Sequence, residues 1–140
     1  MFSKSCEYAI RAMFYIQSQN HCGKSKLQVI AKSIHSPVAF TAKILQQLSN
    51  ACLLVSTLGP KGGFQIRPKN KITLLEIVEA IDGTGFMNNC IIGLKNCSSS
   101  KPCPMHEKYK HIKIEIMEFL SNTTIEEYAE KINNNTMHLI

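Results

Sequence analysis

Between two strand-like runs, Leu53-Leu54-Val55-Ser56-Thr57-Leu58 and Phe64-Gln65-Ile66-Arg67, the chain carries Gly59-Pro60-Lys61-Gly62-Gly63. Three glycines and a proline force the backbone to reverse, and the alternating, β-branched flanks pair as a hairpin. Ahead of this hairpin the apolar period is helical. The expected fold is therefore mainly α with a small β-hairpin wing (α+β). Residues 5–18 place Cys6, Ala9, Ile10, Met13, Phe14 and Ile16 on one amphipathic helix. After a break at His21-Cys22-Gly23-Lys24, Ser25-Lys26-Leu27-Gln28 fits a capping box that opens a short helix to about Ser33. Ser36-Pro37 is a second start, an N-cap followed by proline at the first helical position. The helix it opens runs to about Asn50 and buries Phe40, Ile44, Leu45 and Leu48. Three helices and a glycine-rich hairpin form the plan of a winged helix-turn-helix, its third helix suited to a major groove.

Charge falls on the same segment. Residues 1–67 hold eight basic side chains against one acid, Glu7, whereas residues 68–140 hold eight against nine. A basic half beside a near-neutral half fits a polyanion partner, double-stranded DNA above all, although a solubilising lysine excess has the same arithmetic. On the outer side of the third helix, Ala39 and Ala42 can offer methyl contacts to thymine, and Lys43, Gln46 and Gln47 can donate to guanine or adenine edges. With Lys4, Lys26, Ser36 and Thr41 nearby and Lys61 and Gly62 on the wing, these form the candidate DNA-contacting set.

Behind Pro68, Thr73-Leu74-Leu75-Glu76 is a further capping box, with Leu74, Ile77, Val78 and Ile81 on one face. From about Pro104 to Leu120 a long helix sets Met105, Tyr109, Ile112, Ile116 and Phe119 at alternating four- and three-residue steps. Such a seam packs along another helix, either its copy in a homodimer or an element of its own domain. Thr124-Ile125-Glu126-Glu127 caps a last short helix to Ile132. The expected organisation is a winged helix-turn-helix domain over 1–83, a cysteine-rich sensor loop over 84–103, a dimerisation helix with the C-terminal helix over 104–132, and a frayed tail over 133–140. In a chain of 140 residues this amounts to one domain and its appendage. No apolar run approaches the ~18 residues of a membrane span. The start of the chain lacks a signal-peptide pattern, so a cytoplasmic protein is expected.

In a reducing compartment six cysteines point to metal or redox chemistry rather than a disulfide framework. Cys90, Cys97 and Cys103 are spaced Cys-x6-Cys-x5-Cys in the one long irregular stretch. Thiolates on a loop can wrap a soft metal or an iron–sulfur cluster, and the tighter pairs of a structural zinc site are missing. His106 follows Cys103 by three residues, so on a helix start both face the same way and the histidine can complete a four-donor set. Free thiols or a local disulfide are the plainer alternatives. Cys6 and Cys52, among apolar neighbours, are expected to be small core residues, and Cys22 beside His21 a reactive thiol. There is no Ser/His/Asp grouping, phosphate loop or paired acid set, so an enzyme is not expected.

Tyr8-Ala9-Ile10-Arg11-Ala12-Met13, the wing Gly59-Pro60-Lys61-Gly62-Gly63-Phe64 and Ile77-Val78-Glu79-Ala80-Ile81-Asp82-Gly83 resemble the Rrf-type winged-helix transcription regulators, a family that includes IscR, NsrR, RirA and CymR. The resemblance runs to about Ile132. It implies a homodimer in which helix 104–120 crosses its mate and two winged helices bind a palindromic promoter site; for this chain a sensor-repressor is expected. In cluster-binding members three loop cysteines, matching Cys90, Cys97 and Cys103, hold a 2Fe–2S or 4Fe–4S cluster; in this chain its loss to nitric oxide, oxygen or iron shortage is the expected signal. The fourth ligand is implied to be His106 in an IscR-like pattern, or Glu7 from the partner's first helix in an NsrR-like one; Glu7, the one acid of the basic half, tilts the choice its way. A cluster-free regulator responding through its cysteines to oxidants or another metal is the alternative, and a small iron–sulfur electron carrier or assembly protein a more distant one. Two departures stand out. The first cysteine gap holds six residues rather than the commoner five. Leu58 occupies the place where IscR-like members carry a minor-groove arginine, so direct minor-groove reading is not expected there, while Lys61 can still meet phosphate or groove.

Overall fold

Ser3 starts the first helix. Its extended backbone and its hydroxyl, which accepts from the Cys6 N–H at 3.1 Å, cap α1 (Lys4–Ser18). Cys6, Ala9, Met13 and Ile16 then recur on one buried face. The helix-turn-helix follows as α2 (Leu27–Ser33) and α3 (Val38–Asn50). Each ends in the same way. The Ser36 N–H reaches the Ala31 carbonyl at 2.9 Å with His35 at φ 51°, and the Leu53 N–H reaches the Leu48 carbonyl at 3.0 Å with Cys52 at φ 61°. Both are Schellman stops whose left-handed position is filled by a residue other than glycine. The structure, a computed structural model, describes residues 2–68, 71–87, 90, 92–94 and 100–133.

Two expected starts are corrected. Ser25 does not cap α2, whose N-cap is Lys26 with no side-chain bond. Ser25 instead exchanges both backbone hydrogen bonds with Phe64, each at 2.8 Å, because the wing draws it in as a third strand position. Pro37 is the N-cap of α3 rather than its first residue, and Ser36 is bonded from Thr41. The wing is an antiparallel pair, β1 (Leu54–Thr57) and β2 (Gly63–Ile66), in the register Leu54 to Ile66 and Thr57 to Gly63. Gly63 has φ 147°, and a Cβ there would stand 2.7 Å from the Ser25 carbonyl oxygen, so a bare backbone is what lets the bridge close.

Thr73 and Glu76 form the expected capping box of α4 (Leu74–Asp82), with the Glu76 carboxylate accepting from the Thr73 N–H at 2.9 Å. A 3-10 turn (Thr84–Met87) leads into the cysteine segment, after which come α5 (His106–Asn122) and α6 (Ile125–Asn133). The junction between these last two helices is stitched to the start of α4. Thr123 accepts from the Leu74 N–H at 2.9 Å, and Ile72 accepts from the Ile125 N–H at 3.0 Å. Glu126 accepts from the Ile72 N–H. Phe14 meets Tyr128 edge to face at 6.3 Å, laying α6 on α1. One core results: Met13, Ile16, Ile30, Ile44, Leu45, Leu48, Leu54 and Ile77 are fully buried together with Leu120 and Ile125 from the far end of the chain. Among the described residues no helix is long and apolar enough to cross a membrane.

Candidate nucleic-acid interface and cysteine site

Helix α3 sorts its residues by face. Thr41, Ile44, Leu45 and Leu48 point inward, while Ala39, Lys43, Gln46 and Gln47 are exposed and Ala42 is half-buried. The exposed group is a strip of small, amide and cationic groups, the side-chain types that can meet base edges in a major groove. Thr41 corrects the expected set. It is 0% exposed, and its hydroxyl lies 3.0 Å from both the Ser36 hydroxyl and the Pro37 carbonyl, so it fastens the first turn of α3 and cannot reach a base. Ser36 is half-buried in the same contact, and Lys26 is exposed at the N-cap of α2. Lys4 is exposed but its ammonium sits 2.7 Å from the Glu7 carboxylate. That pairing holds the Glu7 carboxyl below its usual range. Behind α3, Phe40 meets Tyr8 edge to face at 5.7 Å, and the Arg11 guanidinium lies over the Tyr8 ring at 5.4 Å, bracing the helix against α1.

On the wing Lys61 is exposed. Gly62 has a structural reason beyond proximity to a partner: its N–H donates to the Gly59 carbonyl at 2.9 Å, and a Cβ on it would stand 2.2 Å from the Thr57 carbonyl oxygen. Lys24, absent from the expected set, is an exposed cation beside the wing. Its stem lies against Gly63, a neighbourhood created by the Ser25–Phe64 bridge, and no local signal announces it.

Of the three loop cysteines, Cys90 and Cys103 are brought together and Cys97 lies outside the described residues. Cys90 is buried, yet its thiol is held below its ordinary range, first by the backbone N–H groups of Ile92 and Leu94. The Cys103 thiol and the Lys113 charge act in the same direction, and burial opposes them. Lys113 is the second residue that sequence reasoning passed over, although it stands two turns beyond His106 on the same face of α5. His106 is 8% exposed, and its N–H donates to the Cys103 carbonyl at 3.0 Å, so it is not a solvated end of the helix. Among the described residues no three His, Cys, Asp or Glu side chains converge. All five described cysteines, Cys6, Cys22, Cys52, Cys90 and Cys103, are free thiols. Cys6 is the expected core residue, with burial pushing its thiol up to about 12. Cys52, expected in the core, is exposed, because the left-handed stop of α3 turns it outward.

Along α5 the proposed seam stays open in the single chain: Met105, Ile112 and Phe119 are exposed, Phe119 to 56%, while Tyr109 and Ile116 are half-buried. Ile114, also exposed, lies off that seam.

Three helices, a strip of exposed amide and cationic side chains on the third, and a hairpin wing define a winged helix-turn-helix protein. The family is specific. A family model described as Rrf2, iron-dependent transcriptional regulator, matches residues 2–131, and the chain belongs to that family. A chain of Aquifex aeolicus assigned to the HTH-type transcriptional regulators is 32% identical over 142 residues, spanning 99% of this chain and 96% of the relative. The HTH-type transcriptional regulator IscR of Erwinia tasmaniensis is 25% identical over 128 residues, spanning 91% and 75%. In fold the chain is similar to CymR, the global cysteine regulator of B. subtilis, with TM-score 0.77, 21% identity and coverage of 93% and 96%. It is also similar to IscR of T. potens, with TM-score 0.75, 18% identity and coverage of 99% and 92%.

Proposed function

We propose that this Rrf2-family regulator works as a homodimeric repressor whose hold on palindromic promoter DNA is set by an iron–sulfur cluster on Cys90, Cys97 and Cys103. The observation that carries the sensing half is the Cys90–Cys103 pair. Two thiols meet where backbone N–H groups and Lys113 favour the Cys90 thiolate, the form in which sulfur binds soft metals. The donor chemistry therefore fits the group. A bound 2Fe–2S or 4Fe–4S cluster would supply a tie among its ligands that is sensitive to redox state. Of the two candidates for the fourth ligand, His106 is favoured over Glu7. It is buried one turn from Cys103, and its backbone N–H on the Cys103 carbonyl keeps it beside the sulfur-bearing segment. The chain's own residues carry the remainder: Ala39, Ala42, Lys43, Gln46 and Gln47 read base edges, Lys26 and Lys61 meet phosphates, and the α5 seam joins two copies so that the readers face successive grooves. Occupancy of a promoter by such a dimer shuts out polymerase.

Anaerobic purification followed by a visible spectrum and iron and sulfide counts tests the cluster. The expected result is a coloured wild type and a colourless Cys97→Ala variant, with promoter-fragment affinity differing by about 5–150-fold between loaded and stripped protein. Iron-free wild-type protein under those conditions would sink the cluster. The same contact favours one second reading. Cys90 and Cys103 are free and close enough to share a hydrogen bond, so oxidation to a disulfide, passing two electrons and two protons to an oxidant such as peroxide, could switch the protein without iron. Stoichiometric iron separates the two.

A further inference from the structure

Leu58 is 93% exposed, more than any other large apolar side chain among the described residues. A lone surface leucine ordinarily needs no explanation. This one does, because of how it is held. Its predecessor Thr57 pairs with Gly63 in the hairpin. The Gly62 N–H closes a turn onto Gly59 across Pro60 and Lys61, where proline fixes one of the soft dihedrals. The missing Cβ at Gly62 leaves the turn as tight as a backbone permits, and the Ser25–Phe64 bridge fastens the wing to the start of α2. Leu58 is thus carried at a stiff tip and loses little freedom on being buried. Its surroundings are cationic: Lys61 is exposed in the turn, Lys24 lies against Gly63, Lys26 flanks the bridge, and no Asp or Glu occurs between Glu7 and Glu76.

We propose that Leu58 is a wedge: the wing tip enters the minor groove of duplex DNA and Leu58 inserts between neighbouring base pairs while Lys61 and Lys24 hold the flanking phosphates. This rests on the DNA-binding reading and specifies how the wing discriminates. Leucine has no donor for a base edge and no charge to be drawn into a narrow A-tract groove, so it reads deformability. The base steps that unstack most readily, TA and CA/TG, become the preferred ones beneath the wing. Direct reading in the manner of an arginine is still not expected here: the apolar side chain reads shape where an arginine would read potential.

The test begins with wild-type protein selecting its site from a random duplex pool, after which footprinting locates the step under the wing and 2-aminopurine is placed there. Wild type is expected to raise the 2-aminopurine fluorescence. Leu58→Ala is expected to bind about tenfold more weakly with no rise in fluorescence, Leu58→Met to recover both, and the slope of log affinity against log salt to be the same for all three. Lys61→Ala, a phosphate contact, should instead flatten that slope by about one. A Leu58→Ala variant with wild-type affinity and wild-type step preference overturns the wedge and leaves DNA binding standing. Wild type that selects no duplex at low salt overturns both.

Discussion

Cys52 and His35 stop their helices at φ 61° and 51°, where an L-residue costs roughly 1–2 kcal/mol and glycine sits freely. Glycine gives some of this back through the entropy of the unfolded chain. Cys52→Gly is therefore expected to stabilise by about 0.5–1 kcal/mol, a rise of ~2–3 °C in thermal midpoint for a chain of this size. The opposite case is Cys6, whose burial raises its thiol from 9.0 to about 12. Above pH 9 the unfolded chain releases this proton and the folded one keeps it, so stability falls with rising pH between 9 and 12. The fall from this group approaches ~1.4 kcal/mol per unit, and urea midpoints at pH 8, 9 and 10 should show a slope that Cys6→Ala flattens. Sequence placed Cys6 correctly because its neighbours at helical spacing are all apolar. It misplaced Cys52 because apolar neighbours say nothing about a left-handed turn. Thr41 failed similarly: it lies one turn beyond Pro37, but which face of α3 it joins is decided by the core.

At the level of elements, the capping box of α4 was legible because Thr73 and Glu76 satisfy each other within one turn. Thr73→Ala should cost about 1 kcal/mol in denaturant melts. The matching pattern at Ser25 misled, since its backbone was claimed by Phe64, a partner far along the chain. A short pattern can announce a local bond but not a competitor that arrives through tertiary folding. The wing itself was plain from its glycines, and Gly62 is the sharpest place to test it. A methyl group there meets the Thr57 carbonyl, so Gly62→Ala should distort the tip and weaken duplex binding at least tenfold. The thermal midpoint should shift far less, because the core under the hairpin is untouched.

For the molecule as a whole, the seam Met105, Tyr109, Ile112, Ile116 and Phe119 was visible as a spacing, and its exposure in the single chain is what a second copy would cover. Ile112→Glu with Phe119→Glu should convert a dimer into a monomer in sedimentation velocity and cut affinity for a two-half-site duplex at least tenfold, while one half-site is bound as before. The cysteine cluster was legible as a composition only. The burial of His106 and the approach of Lys113 to Cys90 depend on how a long helix lies beside an irregular segment, which spacing does not encode. That long helix is anchored unevenly. Leu120 and the stitched junction with Ile72 and Leu74 fix its far end in the core, while its first turn holds the sulfur-bearing segment. At 1.5 Å per residue, α5 is a rod of roughly 25 Å pinned near one tip. Levers of this length magnify: pivoting by only ~5° about the pinned tip sweeps the opposite one through roughly 2 Å. In the proposed dimer, chemistry confined to a few atoms there would have the leverage to retune the distance between the two grooves being gripped.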